Sequence, residues 1–305
     1  MKVSIIGAGA VGATTAFSLA KSALVQDLVI VDLDERKAKG IALDILHGLS
    51  LSHNLNITAG DYSDTANSDV IIVTIGVPEK VGESRLIPLQ KNADILKTII
   101  PQITEASPNG ILLLVSNPVD ILAYFAQQIS GWNPERVIGL GTTLDSARLN
   151  YLLARDWNLA QTDVNGLVIG EHGDSQVVAW SQTAIKGTQF DDFIQANGFD
   201  LPENYHAELA QEVKDTAFDV WEMKGPNCYC VALAIEKVVK AIALNENVIL
   251  PISQPFLEDV YISLPHIINR NGVVRPVNLS YTQAEQEKLE LSYKNLSDTA
   301  AQIKL

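Results

Sequence analysis

Six residues near the start of the chain, Gly7-Ala8-Gly9-Ala10-Val11-Gly12, limit its possible folds more than any other segment. They follow Lys2-Val3-Ser4-Ile5-Ile6, which reads as a short buried strand, and lead into small and apolar residues, Ala13 to Lys21, that read as a helix. In such a strand-turn-helix, Gly7, Gly9 and Gly12 permit a tight turn, close approach of backbone to a pyrophosphate, and close packing of helix on strand. The N-terminus of that helix stabilises the phosphate charge, and Ala10 and Val11, within the turn, are read with the glycines as cofactor-binding residues. Three glycines alone are weak grounds. A second strand, Leu28-Val29-Ile30-Val31, strengthens them by ending at Asp32, twenty residues beyond Gly12, where a carboxylate can bind the diol of an adenosine ribose. Asp32, with Asp34 and Glu35 beside it, would repel a 2′-phosphate, and Arg36 is the one nearby residue that argues the other way. The pattern favours NAD over NADP.

Apolar strand candidates recur at residues 2–6, 28–31, 69–75, 111–115 and 136–139, with helical stretches between most of them. Such alternation predicts a parallel sheet covered on both faces, with a ligand crevice at the carboxyl ends of its strands. Gly7 to Gly12, Asp32, Thr74 to Gly76, and Ser116 with Asn117 all fall at those ends. Beyond Gly141 the pattern changes to a helical stretch over about 203–243, strand-like pieces at 247–252, 257–263 and 272–277, and a final helix from about 282. The reading is α/β: a Rossmann-type doubly wound parallel sheet over 1–141 that binds NAD, plus a C-terminal mixed α+β substrate domain over 142–305. No Pro-, Gly- or Ser-rich linker separates them, so the two are expected to pack closely with the site between them.

The second half supplies chemistry from two segments, Leu144-Asp145-Ser146-Ala147-Arg148 and Gly170-Glu171-His172-Gly173-Asp174. Asp145 and Arg148 are three apart in a stretch that reads as helix, 142–155, so both project from one face. His172 follows the apolar run Val164 to Ile169, where a strand would end and deliver a side chain into the crevice. Imidazole titrates near neutrality, and a carboxylate on its far ring nitrogen fixes the tautomer and stabilises the imidazolium. Neutral His172 can take a hydroxyl proton when an alcohol is oxidised, and its cation can return one when a ketone is reduced. Asp145 is expected to raise the His172 pKa by favouring the charged form. A lone histidine would read as a surface loop residue; the flanking glycines, the acid and the arginine favour reversible chemistry on a small 2-hydroxy acid and its 2-oxo partner.

A net charge of −14 over 305 residues opposes binding to nucleic acid or to an anionic membrane. The longest aliphatic runs, such as Ile111 to Val115, are strand-sized and far short of a membrane span. A cleaved signal would remove the first strand and the glycine turn, so the cytoplasm is the expected setting. Cys228 and Cys230 are the only cysteines. A single residue between them is poor spacing for a disulfide, and without a second ligand pair they make no structural zinc site. Both read as small buried residues, and no metal is implied.

In combination and in this order, the motifs resemble the NAD-dependent L-lactate and malate dehydrogenases over nearly the whole chain. The matching pieces are Gly7 to Gly12, Asp32, Gly82-Glu83-Ser84-Arg85, Val115-Ser116-Asn117-Pro118-Val119-Asp120, Leu144 to Arg148, Gly170 to Ser175 and Lys224-Gly225. The resemblance implies that His172 is the proton donor and acceptor, Asp145 its partner, and Arg148 a bidentate clamp on the substrate carboxylate. It implies that Arg85 rides on a mobile loop and closes to polarise the substrate carbonyl. Asn117 would hydrogen-bond near the nicotinamide and the reacting oxygen, and the chain would assemble as a homo-oligomer, a tetramer.

Departures from the family pattern bear on the substrate. Where malate enzymes place Arg and lactate enzymes Gln, this chain has Glu79, whose repulsion of a second carboxylate, on the order of 1 to 4 kcal/mol, should reject oxaloacetate. Where lactate enzymes show Lys-Gly-Tyr-Thr, it has Lys224-Gly225-Pro226-Asn227. A pocket rebuilt on both sides is similar to the L-2-hydroxyisocaproate dehydrogenase branch, which acts on longer or branched apolar 2-hydroxy acids; L-lactate dehydrogenase is the alternative. Asn150 and Asn165 stand where some bacterial lactate enzymes carry the cations that bind fructose 1,6-bisphosphate, so no such activation is expected. Two other classes compare poorly. An NAD-dependent glycosidase would need a metal and a Cys in the segment that here reads Ser116-Asn117-Pro118, and a non-catalytic NAD-binding sensor need not keep Arg85, Asp145, Arg148 and His172 together.

Overall fold

The computed structural model describes residues 1–77, 86–257 and 259–305. Six strands of the first half, β1 (Lys2–Ile6), β2 (Asp27–Val31), β3 (Asn56–Ala59), β4 (Val70–Val73), β5 (Ile111–Leu114) and β6 (Val137–Gly139), run parallel in the order β3-β2-β1-β4-β5-β6. Every residue of β4 and β5 is buried, which is why both read as unbroken aliphatic runs. Strand β3 lies at the sheet edge with only Ile57 buried, and so escapes a search for apolar runs. Helices α1 (Ala10–Ser22) and α2 (Glu35–Leu49) cover the face that carries Val3, Ile5, Leu28 and Ile30. Helices α3 (Leu86–Ala106) and α4 (Val119–Ser130) cover the other, with Ile6, Val29, Ile71 and Val73. The order of connection reverses between β1 and β4, which opens a crevice at their carboxyl ends.

The second half begins with α5 (Thr143–Asp156) and five short strands, β7 (Val164–Asn165), β8 (Val168–Ile169), β9 (Val177–Val178), β10 (Ala184–Ile185) and β11 (Thr188–Gln189). Then follow α6 (Phe190–Ala196), α7 (Tyr205–Lys224), α8 (Tyr229–Leu244), β12 (Val248–Phe256), β13 (Val260–Asn269), β14 (Gly272–Pro276) and α9 (Gln283–Ala300). Strands β12 to β14 do not build a sheet of their own. They extend the first one antiparallel to nine strands, joined where Ser253 pairs with Gly139.

Three further expectations are corrected. The single helix over 203–243 is two, because Gly225 ends α7 at φ +83 and Pro226, lacking an N–H, follows it. The run 164–169 holds two short strands: the Gly166 N–H turns aside to Asn150 Oδ1 at 2.6 Å, and a Cβ there would meet Leu149 at 2.7 Å. Of the two cysteines only Cys228 is buried; Cys230 is exposed in the first turn of α8.

Candidate active site

The glycines of the first turn divide into two kinds. Gly7 closes β1 at φ +112, and a Cβ on it would lie 2.8 Å from Ile75 Cγ2. A Cβ on Gly12 would stand 1.8 Å from the Gly7 carbonyl oxygen. Internal packing demands both. Gly9 differs, because nothing lies within 4 Å of where its Cβ would be, and the open space sits against the start of α1. That helix begins at Ala10 with no side-chain cap and no acid in its first turn, so the N–H groups of Ala10, Val11 and their neighbours are suited to an anion.

Asp32, at the end of β2, accepts the Ala8 N–H on Oδ2 (2.6 Å) and the Asp34 N–H on Oδ1 (2.9 Å) while staying partly exposed. Its remaining lone pairs can take a ribose diol. The Thr74 hydroxyl donates to the carbonyls of Gly7 (3.0 Å) and Ile6 (3.2 Å), and the Ser116 hydroxyl to that of Ile75. Both side chains thus frame the crevice by holding its loops. Gly76 lies next to buried Asn92, which accepts the Val77 N–H (2.7 Å) and donates to the Asn117 carbonyl (3.2 Å). The open Gly9 cradle, the uncapped helix and the accessible carboxylate fit a dinucleotide laid across the strand ends.

The two chemical segments meet beside that crevice. His172 Nδ1 donates to Asp145 Oδ2 at 2.5 Å, and Arg148 Nη1 donates to Asp145 Oδ1 at 2.5 Å. All three line one cavity of about 490 Å³ together with Asn117, Val115 and Asn227. Asp145 is only 2% exposed, whereas His172 and Arg148 keep 17% and 13%, so the acid is dry and its partners reach the cavity. Burial by itself would lower the His172 pKa, but the charge and hydrogen bond of Asp145, with Asp120 behind, outweigh both it and the opposing charge of Arg148, and the pKa is raised. Burial would likewise raise Asp145, yet His172 and Arg148 hold it below the ordinary carboxylate value. With Nδ1 committed to the acid, Nε2 is the nitrogen available to exchange a proton.

The loop bearing His172 is tied down from three sides. Its Glu171 N–H donates to Ser292 Oγ of α9 (2.8 Å), and the Glu171 carboxylate accepts the Ser175 N–H (3.1 Å). The third tie is one to which the sequence gives no role. Asp120, in the first turn of α4 and 1% exposed, accepts the His172 backbone N–H on Oδ2 (2.8 Å) and the hydroxyls of Ser253 (2.5 Å) and Ser263 (3.3 Å) on Oδ1. Burial pushes its pKa up to about 6 against those hydrogen bonds. The available signal was an acid amid the apolar residues that follow Asn117-Pro118.

Asn227 reaches the cavity, but its Nδ2 donates to the Ala217 carbonyl of α7 (2.8 Å), so this amide also braces the α7–α8 junction. Glu79 and Arg85 lie outside the described residues. Among the described residues no group of three or more His, Cys, Asp or Glu is placed to hold a metal ion, and no helix is long and apolar enough to cross a membrane.

Two family models span nearly all of the chain: lactate/malate dehydrogenase, NAD binding domain, over residues 1–139, and lactate/malate dehydrogenase, alpha/beta C-terminal domain, over 142–304. The chain belongs to the lactate/malate dehydrogenase family. As a member of that family it is an NAD-dependent oxidoreductase of 2-hydroxy acids. It is 43% identical to an L-lactate dehydrogenase of Thermoanaerobacterium saccharolyticum, with 99% of each chain covered. An L-lactate dehydrogenase of Clostridium botulinum is 39% identical over 98% of this chain and 95% of its own. In structure it is similar to a minor L-lactate dehydrogenase from Enterococcus mundtii, with a TM-score of 0.95, 34% identity, and 100% of this chain and 98% of that one covered. A lactate dehydrogenase from a Medee basin deep-sea metagenome gives a TM-score of 0.92 at 36% identity, with 98% of both chains covered. All four are named for lactate, and the resemblance to the hydroxyisocaproate branch draws no support from them.

Proposed function

We propose that this family member is an L-lactate dehydrogenase, interconverting pyruvate and L-lactate, with Asp145, His172 and Arg148 as its working unit. The observation that carries this reading is the continuous His172–Asp145–Arg148 chain, both links 2.5 Å, in a cavity that opens beside Asn117 and the cofactor crevice. The cofactor, held at the glycine turn and Asp32, would supply a hydride to the substrate C2 in its reduced form and accept one from it in its oxidised form. The rest falls to side chains of this protein. Arg148 keeps donors of its fork for the substrate carboxylate, because only Nη1 is bonded to Asp145. His172 Nε2 gives a proton to the C2 oxygen on reduction and takes it back on oxidation, and Asp145 holds the ring and stabilises its charged form. Arg85 polarises the C2 carbonyl, and Asn117 orients it.

The choice of lactate is supported by the relatives at 43% and 39% identity, which carry that name over nearly their full length. A second reading, longer or branched apolar 2-hydroxy acids such as 2-hydroxyisocaproate, is favoured by Glu79 and by Asn227 at the cavity wall. The proposal also includes a cytoplasmic homotetramer and a division of labour between residues 1–141 for the cofactor and 142–305 for the substrate. Exposed Phe218 and Trp221, stacked on one another on α7, support self-association.

The test follows NADH absorbance with pyruvate, 2-oxoisocaproate and oxaloacetate in parallel. Pyruvate is expected to give the highest kcat/KM, and oxaloacetate to fall below it by roughly tenfold or more through Glu79. A higher value for 2-oxoisocaproate selects the second reading. Reduction of none of them, or a His172→Asn variant that keeps most of the wild-type kcat, rejects the mechanism.

A further inference from the structure

We propose that Asp120 is a positioning residue for the proton transfer, fixing the main chain of His172 and placing a second buried negative charge beside the imidazole. This rests on the dehydrogenase reading above. Three donors from three elements converge on its carboxylate: the His172 N–H after β8 (2.8 Å), Ser253 Oγ of β12 (2.5 Å) and Ser263 Oγ of β13 (3.3 Å). Asp120 itself stands on α4, so one side chain fastens the cofactor half of the molecule to the catalytic half directly under the histidine.

Fastening alone does not call for a charge. A hydroxyl either donates or accepts, so a neutral amide at this position would satisfy the same N–H and the same two serines. A carboxylate 1% exposed bears a desolvation cost that an amide avoids, unless the charge acts on something. The group in reach is His172. When its ring carries the extra proton, Asp145 stabilises it by direct hydrogen bond and Asp120 through space, in a dry region where charges are weakly screened.

Among the described residues, Asp174 of the same loop and Lys214 of α7 also line the cavity that holds His172. Arg148 of α5 opposes the imidazolium from beyond Asp145, and Glu171 disfavours ionisation of Asp120. The partners from β12 and β13 are neutral serines, as is Ser292 of α9, and Cys230 of α8 faces Arg148 and Asp145.

In the reduction of a 2-oxo acid the productive His172 is cationic, so kcat/KM falls as pH rises through its pKa. Loss of the Asp120 charge lowers that pKa and moves the alkaline limb to lower pH. The experiment compares kcat/KM for pyruvate reduction across pH 5 to 10 in the wild-type enzyme with NADH and in Asp120→Asn. The expected result is a limb displaced downward by about one pH unit, with the KM for NADH unchanged. In lactate oxidation the acid limb is expected to move the same way. An Asp120→Asn enzyme that binds NADH normally and keeps the wild-type limb overturns the proposal. Should Asp120→Asn fail to fold, Ser253→Ala removes the shortest donor, makes the charge harder to hold, and is expected to displace the limb in the same direction by less; an unmoved limb there overturns it equally. A wild-type protein that reduces no 2-oxo acid rejects the dehydrogenase reading itself, and so is distinguishable from failure of the Asp120 assignment.

Discussion

Arg148 pairs with the buried carboxylate of Asp145 and, in the proposed mechanism, also clamps the carboxylate a substrate brings. A lysine would keep the positive charge yet supply one point donor in place of a planar fork. Arg148→Lys is therefore expected to raise the KM for pyruvate by roughly 30-fold or more, as loss of a charge-assisted bond of about 2 kcal/mol implies, with a smaller change in kcat. Saturation kinetics check this, and a KM within twofold of wild type would remove Arg148 as the clamp. Asp120 makes a different claim, on stability. Folded, it holds its proton up to about pH 6, whereas unfolded it releases it near 3.8. Between those values the folded chain binds more protons, so stability falls as pH rises through that window, by about 1.4 kcal/mol per pH unit, and the whole deficit is present above pH 6. Asp120→Asn is expected to melt no lower than wild type at pH 7.5 and to lose that advantage near pH 4; a lower Tm at pH 7.5 would show that the carboxylate stabilises the fold. His172, Asp145 and Arg148 are legible in the sequence because their chemistry resides in side chains at characteristic spacings. Asp120 is not, since it accepts a main-chain N–H from 52 positions away and no local pattern encodes that meeting.

The strand-turn-helix at the N-terminus allows packing and ligand binding to be separated, because its glycines have different neighbours. Gly12→Ala would drive a Cβ to 1.8 Å from a backbone oxygen that cannot swing aside, so a loss of several kcal/mol of stability is expected. Gly9 has φ −71 and open space around it, so Gly9→Ala should leave stability within about 0.5 kcal/mol. On the proposed placement of the phosphates against this face, the added methyl would crowd them, and NADH affinity is expected to fall tenfold or more in a fluorescence titration. Equal affinity in Gly9→Ala would mean that this face does not hold the cofactor. The same sheet shows what a sequence can convey: β4 and β5 are fully enclosed and announce themselves as aliphatic runs, while β3 is largely in water at an edge and does not. The α7–α8 break is hidden for another reason. Apolar periodicity runs through both helices, and only Gly225-Pro226 marks the turn.

Side chains from both halves share their cores. Val3 and Ile5 lie in one cluster with Val231, Ile235, Val238, Ile252 and Ile268, and on the opposite face Leu112 and Phe125 lie with Tyr261, Leu289 and Leu296. Helix α8 runs against α1, where the Ser18 hydroxyl donates to Glu236, and the sheet crosses between halves at Gly139 and Ser253. A Cβ on Gly139 would come within 2.7 Å of Ser253 Cβ, so the junction is close-packed. Neither half can bury its apolar surface alone, and unfolding one would strip a face from the other. A single thermal transition is therefore expected, with tryptophan fluorescence, reporting Trp132 in the first half and Trp157, Trp180 and Trp221 in the second, coinciding with circular dichroism. NADH at about 100 times its Kd should add about 2.7 kcal/mol and raise that one transition as a unit, including the half that holds none of the glycine turn. Two resolved transitions, only one of them shifted by NADH, would show instead that the shared sheet does not couple the halves, and that His172 is held against the cofactor crevice by something weaker than a common core.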